Sequence, residues 1–346
     1  MKKKLTYKSS GVDIRAGDKA KNRIKKLAQS TFTPGVLRGI GGFGGFFELK
    51  TKEYQEPVLL SSVDSVGTKL KVAFMMGKHD TVGEDIVNHC VNDILVHGAK
   101  PLFFLDYIGI GRLDPAVVTD IVKGLSKACR MTGCALVGGE TAELPDFYEK
   151  GEYDLAGCIV GVVEKKKIID GSSIRPGDRI IGLKSSGLHT NGYSLTRKVF
   201  FDVALFGVND YLNELKTTLG KEMLRVHRCY APSVLPVLRK FKIKGMAHIT
   251  GGGIQGNLCR ILPANCDAHI HTDAWKVPAI FQLIRREGNI EEQEMFKVFN
   301  MGIGLILVVS RNEVGKISNQ LSSLGEVVFP IGEITSGNGQ VILEGI

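Results

Sequence analysis

The chain has 346 residues, 43% hydrophobic and 23% charged, with a formal charge of +9. That is an ordinary globular composition, long enough for two domains of roughly 150 residues that bury cores without a disulfide or metal staple. It excludes a disordered chain, and without an apolar run of about 18 residues it excludes a membrane-spanning helix.

The positive balance favours an anionic partner. The basic runs 2–4 and 165–167 are short and lack interleaved aromatics, and solvated surface is their commoner use. No helix-turn-helix, zinc finger or aromatic RNA-binding signature occurs, so no nucleic-acid partner is expected. The seven cysteines are irregularly spaced, without a Cys-x-x-Cys pair. Reduced thiols in a cytoplasmic protein are the expectation. Polar Thr6 to Ser10 follow the basic start where a signal peptide needs an apolar stretch.

In chain order, 18–30 reads as an amphipathic helix. A Gly-rich stretch, 39–50, runs into a short strand. Residues 57–63 form a β-branched strand ending at Asp64, and the alternation in 68–76 predicts another strand. Residues 79–98 have helical period, with Ile86, Val87, Cys90, Val91, Ile94 and Leu95 on one face and Gly98 as the stop. A buried strand at 101–111 precedes Asp114-Pro115, an N-cap and first turn. Strand 134–139 delivers Glu140, and 153–164 is a long strand. The turn cluster 174–178 places a domain boundary near 170, giving domains 1–170 and 171–346. The second half continues with a strand and loop at 179–186 and helices at 191–206 and 230–241, the latter containing Pro236. A strand at 245–250 then enters a Gly-rich turn and helix at 251–263. A strand at 267–272, a helix at 277–288 and a strand at 302–310 follow. Such alternation predicts an α/β protein of layered α+β type.

Two segments match G-x-G-x-x-G. Around Gly39, Gly41 and Gly44 the context fails, since a strand-like segment follows where a helix is needed. Gly251, Gly253 and Gly256 follow a strand and open a helix, with Asp273 about twenty residues on. A capped turn, an anion cradle and a dinucleotide site all fit that outline, the first two best. No Walker A motif occurs. Three acids at element ends offer another nucleotide design: Asp64 before Ser65-Val66-Gly67-Thr68-Lys69, Asp93 late in a helix, and Glu140 before Thr141. An acid near a helix C-terminus opposes the dipole and invites a cation, and magnesium takes a few carboxylates plus substrate phosphates. Taken singly, each acid is more often a cap or salt-bridge partner. Asp106 interrupts an apolar strand and needs partners. The loop 185–194 is rich in hydroxyl and amide donors that suit a phosphate or sugar. His189 and His248 are candidate proton-transfer groups, whereas His269-x-His271 reads as structural.

As an ordered set, YKSSGVDIRAGDKAKNRIK, GGFGG, VDSVGTKLKVA, HDTVGEDIVNHCVNDILVHGAKPLFFLDY, GCALVGGETAELP, YDLAGCIVGVVEK, SSGLHTNGYSL and HITGGG resemble the phosphoribosylformylglycinamidine cyclo-ligase (aminoimidazole ribonucleotide synthetase) family over essentially the whole chain. The wider superfamily includes thiamine-monophosphate kinase, selenophosphate synthetase and a hydrogenase maturation protein. The resemblance implies a two-domain fold, with an N-terminal domain whose strands build a dimer-interface β-barrel and a C-terminal α/β sandwich. It implies a ligase of purine biosynthesis that uses ATP and Mg²⁺ to cyclise formylglycinamidine ribonucleotide, and a homodimer. Carried over by motif, Gly42, Gly44, Asp64, Ser65, Val66, Gly67, Thr68, Lys69, Asp93, Gly139, Glu140 and Thr141 map onto nucleotide binding, with Asp64, Asp93 and Glu140 on the metal. Ser185, Ser186, His189, Thr190, Asn191, Gly251, Gly252 and Gly253 map onto substrate contacts. His248, His189 and Lys69 are the expected catalytic groups. Ser65 and Gly256 depart from the family pattern, where glycine and an acid are usual, and Cys259 stands where proline is common.

Overall fold

The computed structural model describes residues 23–346. The helix expected at 18–30 is seen over 23–29, and its first part lies outside the described residues. The chain forms two compact units. One takes in the described residues up to Val91 together with Pro101–Val162, the other Asn92–Lys100 with Val163–Ile346.

The first unit is built on a four-stranded sheet of β1 (Pro57–Ser65), β2 (Lys100–Ile110), β3 (Ala135–Glu143) and β4 (Tyr153–Glu164), in the order β1-β4-β2-β3. β2 and β3 pair in parallel, joined through the helix Pro115–Thr132. Asp114 caps that helix by accepting from Ala116 N at 2.8 Å, as the Asp-Pro signal predicts. Helices Asp80–Leu95 and Pro115–Thr132 touch backbone to backbone. A methyl on Gly83 would fall 2.1 Å from the Ile121 carbonyl oxygen, and one on Gly124 would fall 1.9 Å from that of Asp80. Phe104, Ile108, Leu155 and Ile159 point to the buried side of the sheet. Its other face leaves Leu59, Val63, Leu105 and Tyr107 exposed.

Two sequence expectations change here. Residues 68–76 are not a strand but the helix Lys69–Met76. Leu70 and Val72 alternate with Lys69 and Lys71, yet the buried set is Lys69, Leu70, Val72 and Ala73, a helical face. The left-handed Gly67 and Gly77 bracket it, and Gly77 is its C-cap. The Gly-rich stretch 39–50 forms no strand. A single antiparallel bridge joins Val36 to Phe47.

The second unit holds a six-stranded sheet of order β12-β9-β11-β5-β10-β8. In chain order, β5 is Arg179–Lys184, and the small hairpin strands β6 (Tyr211–Leu212) and β7 (Thr217–Thr218) stand apart from it. β8 (Gly245–His248), β9 (Cys266–His271), β10 (Ile303–Val309), β11 (Val328–Ser336) and β12 (Val341–Glu344) complete the sheet. All its pairs are antiparallel except β12 with β9. β10 is buried along its whole length. The short helix Gly253–Leu258 touches both edge strands, β8 and β12, so the sheet curls around it. The helix expected over 191–206 is a turn of α-helix, Tyr193–Arg197, running into a π-helix, Lys198–Val203.

Candidate active site

In the first unit, β1 carries Asp64 to its end. The Asp64 carboxylate accepts from Ser65 N at 2.6 Å and faces His89 Nε2 at 2.7 Å. Ser65 continues the strand with no left-handed angle, so its departure from glycine costs no backbone strain. The turn then passes through Gly67, at φ 67°, and exposed Thr68. Lys69 turns inward. Its ammonium meets Asp85 Oδ1 at 2.9 Å and Oδ2 at 2.8 Å, and both side chains are wholly buried. Burial pulls the Lys69 pKa below its ordinary value while Asp85 works against that fall. Lys69, expected among the nucleotide and catalytic groups, is thus paired with Asp85 inside the fold.

Glu140 and Thr141 lie within β3 rather than after it, because the strand runs on to Glu143. Glu140 is exposed and sits opposite Tyr107. Asp106 sits opposite Gly139, and its Oδ1 lies 2.2 Å from where a Gly139 Cβ would be. Only glycine lets this carboxyl group pack so closely against β3. Burial first, and then the Glu140 charge, push Asp106 up to about 7 against the opposing effect of a backbone hydrogen bond. Gly42 and Gly44 are exposed in the irregular segment before Phe47. Asp106 and Glu140 are thus carboxyl groups on neighbouring strands, and carboxylate oxygens are the kind of donor that a hard divalent ion takes.

In the second unit the loop after β5 folds back on itself. Ser185 Oγ donates to Asn300 Oδ1 at 3.0 Å, and Ser186 Oγ donates to the Val226 carbonyl at 2.6 Å. Ser186 N donates to His189 Nε2 at 3.1 Å. His189 itself adopts φ 61°, a left-handed angle rare for a side-chain-bearing residue. The two serine hydroxyls therefore shape the loop from within. Thr190 and Asn191 are half-buried, and Gly251 and Gly252 are exposed. A Cβ on Gly251 would stand 3.5 Å from Asn191 Oδ1, so loop and turn adjoin. Asn257 holds the glycine turn, donating to the carbonyls of Gly251 at 3.2 Å and Gly253 at 2.8 Å. The dinucleotide outline fails here, because β8 pairs antiparallel with β10 and its helix has only six residues.

Beneath the loop lie three buried histidines: His189, His227 and His248. His189 stacks on His227 with centroids 4.0 Å apart. His227 Nε2 meets His248 Nε2 at 2.9 Å, and its Nδ1 meets Thr190 Oγ1 at 3.2 Å. His248 Nδ1 faces Asp93 Oδ1 at 2.8 Å. Asp93, in the last turn of helix Asp80–Leu95, belongs to this unit. Thus the structure brings together Asp93, His189, Thr190 and His248, which the sequence singles out, and adds His227, which it does not. His269 and His271 both bond Glu344 of β12, at 2.8 and 2.7 Å, a structural clasp as their spacing predicts.

The AIR synthase related protein N-terminal domain model matches residues 52–163, and the C-terminal domain model matches 175–344. A phosphoribosylformylglycinamidine cyclo-ligase of Alkaliphilus metalliredigens is 53% identical over 98% of both chains. That of Syntrophotalea carbinolica is 55% identical over 96% of this chain and 95% of its own. Among solved structures, thiamine-monophosphate kinase from Stenotrophomonas maltophilia superposes with a TM-score of 0.69 at 17% identity, covering 94% of this chain and 96% of that one. The hydrogenase maturation protein HypE in complex with ATP gives 0.64 at 18%, covering 94% and 91%. These two share the fold. With near-full-length identity above one half to several cyclo-ligases, and both domain models matched, the chain belongs to the phosphoribosylformylglycinamidine cyclo-ligase family.

Proposed function

We infer that this chain closes the imidazole ring of formylglycinamidine ribonucleotide at the expense of ATP, in purine biosynthesis. The observation that carries the reading is the 53% identity to a cyclo-ligase over 98% of the chain, spanning both units. The γ-phosphoryl group passes to the formyl oxygen, leaving ADP. The neighbouring amidine nitrogen attacks the same carbon, and phosphate departs as the ring forms. Phosphoryl transfer asks the protein mainly for alignment and charge neutralisation, and ring closure has its nucleophile already tethered beside the carbon.

On this reading Gly42, Gly44, the turn Asp64–Thr68, Asp93, Gly139, Glu140 and Thr141 serve the nucleotide. Lys69 serves it indirectly, by anchoring the start of its helix on Asp85. Thr190, Asn191 and the Gly251–Gly253 turn take the substrate, with Ser185, Ser186 and His189 keeping the loop in shape. His248, oriented by Asp93, is the proton-transfer group. Magnesium suits the carboxylates Asp64, Asp93 and Glu140. When bound, it would offset charge on the phosphates. The domain boundary lies near 170. A homodimer forms through the sheet face of Leu59, Val63, Leu105 and Tyr107, and the cytoplasm keeps the unlinked thiols reduced.

Incubation with ATP, Mg²⁺ and formylglycinamidine ribonucleotide tests the reading. Aminoimidazole ribonucleotide with stoichiometric ADP and phosphate is expected. ADP without the ring product would overturn it in favour of phosphate transfer to another acceptor. Asp93→Asn should lower kcat about 100-fold or more while the far-ultraviolet spectrum is unchanged.

A further inference from the structure

The second unit contains a cavity of about 420 Å³ that none of the nucleotide or substrate residues lines. One wall follows β4. It is the 3₁₀ turn Lys165–Lys167 and the chain beyond it, tied down where Ile169 N donates to the His97 carbonyl at 3.2 Å and His97 Nδ1 meets the Ile169 carbonyl at 3.1 Å. Gly98 lets this wall come close, since its Cβ would stand 3.3 Å from the Lys167 carbonyl oxygen. The other wall is the chain between helix Ala231–Leu238 and β8. There Phe241 N donates to the Val237 carbonyl and Lys244 N to that of Val308, both at 2.9 Å. Both walls are anchored on regular elements, so the cavity is preorganised.

Burial and charge sort its lining. Ile243 is buried, and Ile169, Leu238 and Phe241 are half-buried, whereas Lys166, Lys167 and Lys242 are exposed. The result is an apolar floor under a cationic rim. Lys244 also lines the cavity, but Asp178 meets its ammonium at 2.5 Å. Asp170, the acid of the lining, accepts from Ser172 N at 2.9 Å. Three rim lysines against that one carboxylate leave a surplus of two positive charges, which matches a phosphate monoester near neutral pH.

We propose that this cavity binds a small phosphate monoester with an apolar or aromatic body. The phosphate lies at the rim among Lys166, Lys167 and Lys242, and the body rests on Leu238 and Phe241. Lysine acts on phosphate as a flexible point charge and needs no fixed fork geometry. Ser173, half-buried in the same lining, adds a hydroxyl donor. The volume is that of a small-molecule pocket, whereas an acidic protein segment would need an extended groove. The run 165–167, ordinary as sequence, gains this use only through Lys242, which a distant stretch of chain brings to the same cavity.

Isothermal titration calorimetry of the full-length protein with 1-naphthyl phosphate provides the test. Saturable binding with a Kd below about 1 mM is expected at low salt. Inorganic phosphate has the charge without the body, and 1-naphthol has the body without the charge. Each should bind at least about tenfold more weakly than the probe. A Lys166→Gln, Lys167→Gln, Lys242→Gln triple variant should weaken the probe at least about tenfold. The three side chains are exposed, so its Tm and its rate of ring closure should stay those of the wild type. The methyl resonances of Ile169, identified by their loss in Ile169→Val, should shift as the probe is added. Failure of the wild type to bind the probe would overturn the site. So would an undiminished affinity in the triple variant or an unmoved Ile169 signal, either of which would put the probe elsewhere. A hexaglutamate peptide or inorganic phosphate binding as tightly as the probe would reduce the cavity to a basic surface and overturn the ligand class.

Discussion

Gly304 has no room for a methyl group. Its Cβ would lie 2.1 Å from Tyr230 Oη and 2.5 Å from His189 Cε1. Gly304→Ala should therefore displace His189 and cost about 1–3 kcal/mol of stability, read as a lower denaturation midpoint together with reduced kcat. Asp106 carries a pH dependence of defined sign. Its pKa is raised from 3.8 to about 7, so the fold favours the neutral acid. That contribution is complete below the unfolded value and is lost as pH rises through the folded one. The Tm of the wild type should fall between pH 4 and about 7 relative to Asp106→Asn, with the two curves parallel at pH 8 and above. A constant gap across that window would remove the assignment. At this scale the sequence was informative where chemistry is rare: an acid in an apolar strand, a histidine beside a Gly-rich turn. It was silent on His227, whose partners His248 and Asn92 lie 21 and 135 residues away in the chain. No local pattern encodes such contacts. It was also silent on where Ser185 and Ser186 point, since a donor-rich loop looks the same whether its hydroxyls serve a ligand or its own carbonyls.

Among elements, the long ones were legible and the short ones were not. Helix Asp80–Leu95 and strand Tyr153–Glu164 follow from period and caps alone. The helix Lys69–Met76 was masked because eight residues allow either period, and the decisive signs were the glycines at its ends. The helix Gly253–Leu258 offers a direct check. A side chain at Gly256 would meet nothing within 4 Å, and the residue has no positive φ. Gly256→Ala should stabilise the protein by about 0.5–1 kcal/mol, measured by denaturant titration with an unchanged slope. The absence of an acid at this position is thus no packing requirement of the helix.

For the whole molecule, the exposed apolar face of the first sheet is the feature on which the proposed dimer rests. Leu59 is 58% exposed and Val63 70%, on alternate positions of one strand. If that face forms the proposed dimer, the wild type should sediment as a dimer and a Val63→Asp, Leu59→Ser double variant as a monomer. A wild-type monomer at micromolar concentration would remove that interface. The α/β class and its layers were legible from alternation. The antiparallel pairing of β8 with β10 was not, because pairing partners are set by contacts distant in sequence. The buried pair of Lys69 and Asp85 has a consequence for descent. Losing one partner strands a charge in the core at a cost of about 3–5 kcal/mol, whereas exchanging both for apolar residues can be neutral. The two positions are therefore inherited as a single character, and a lineage can leave the ionic pair only by a double step or through a weakened intermediate.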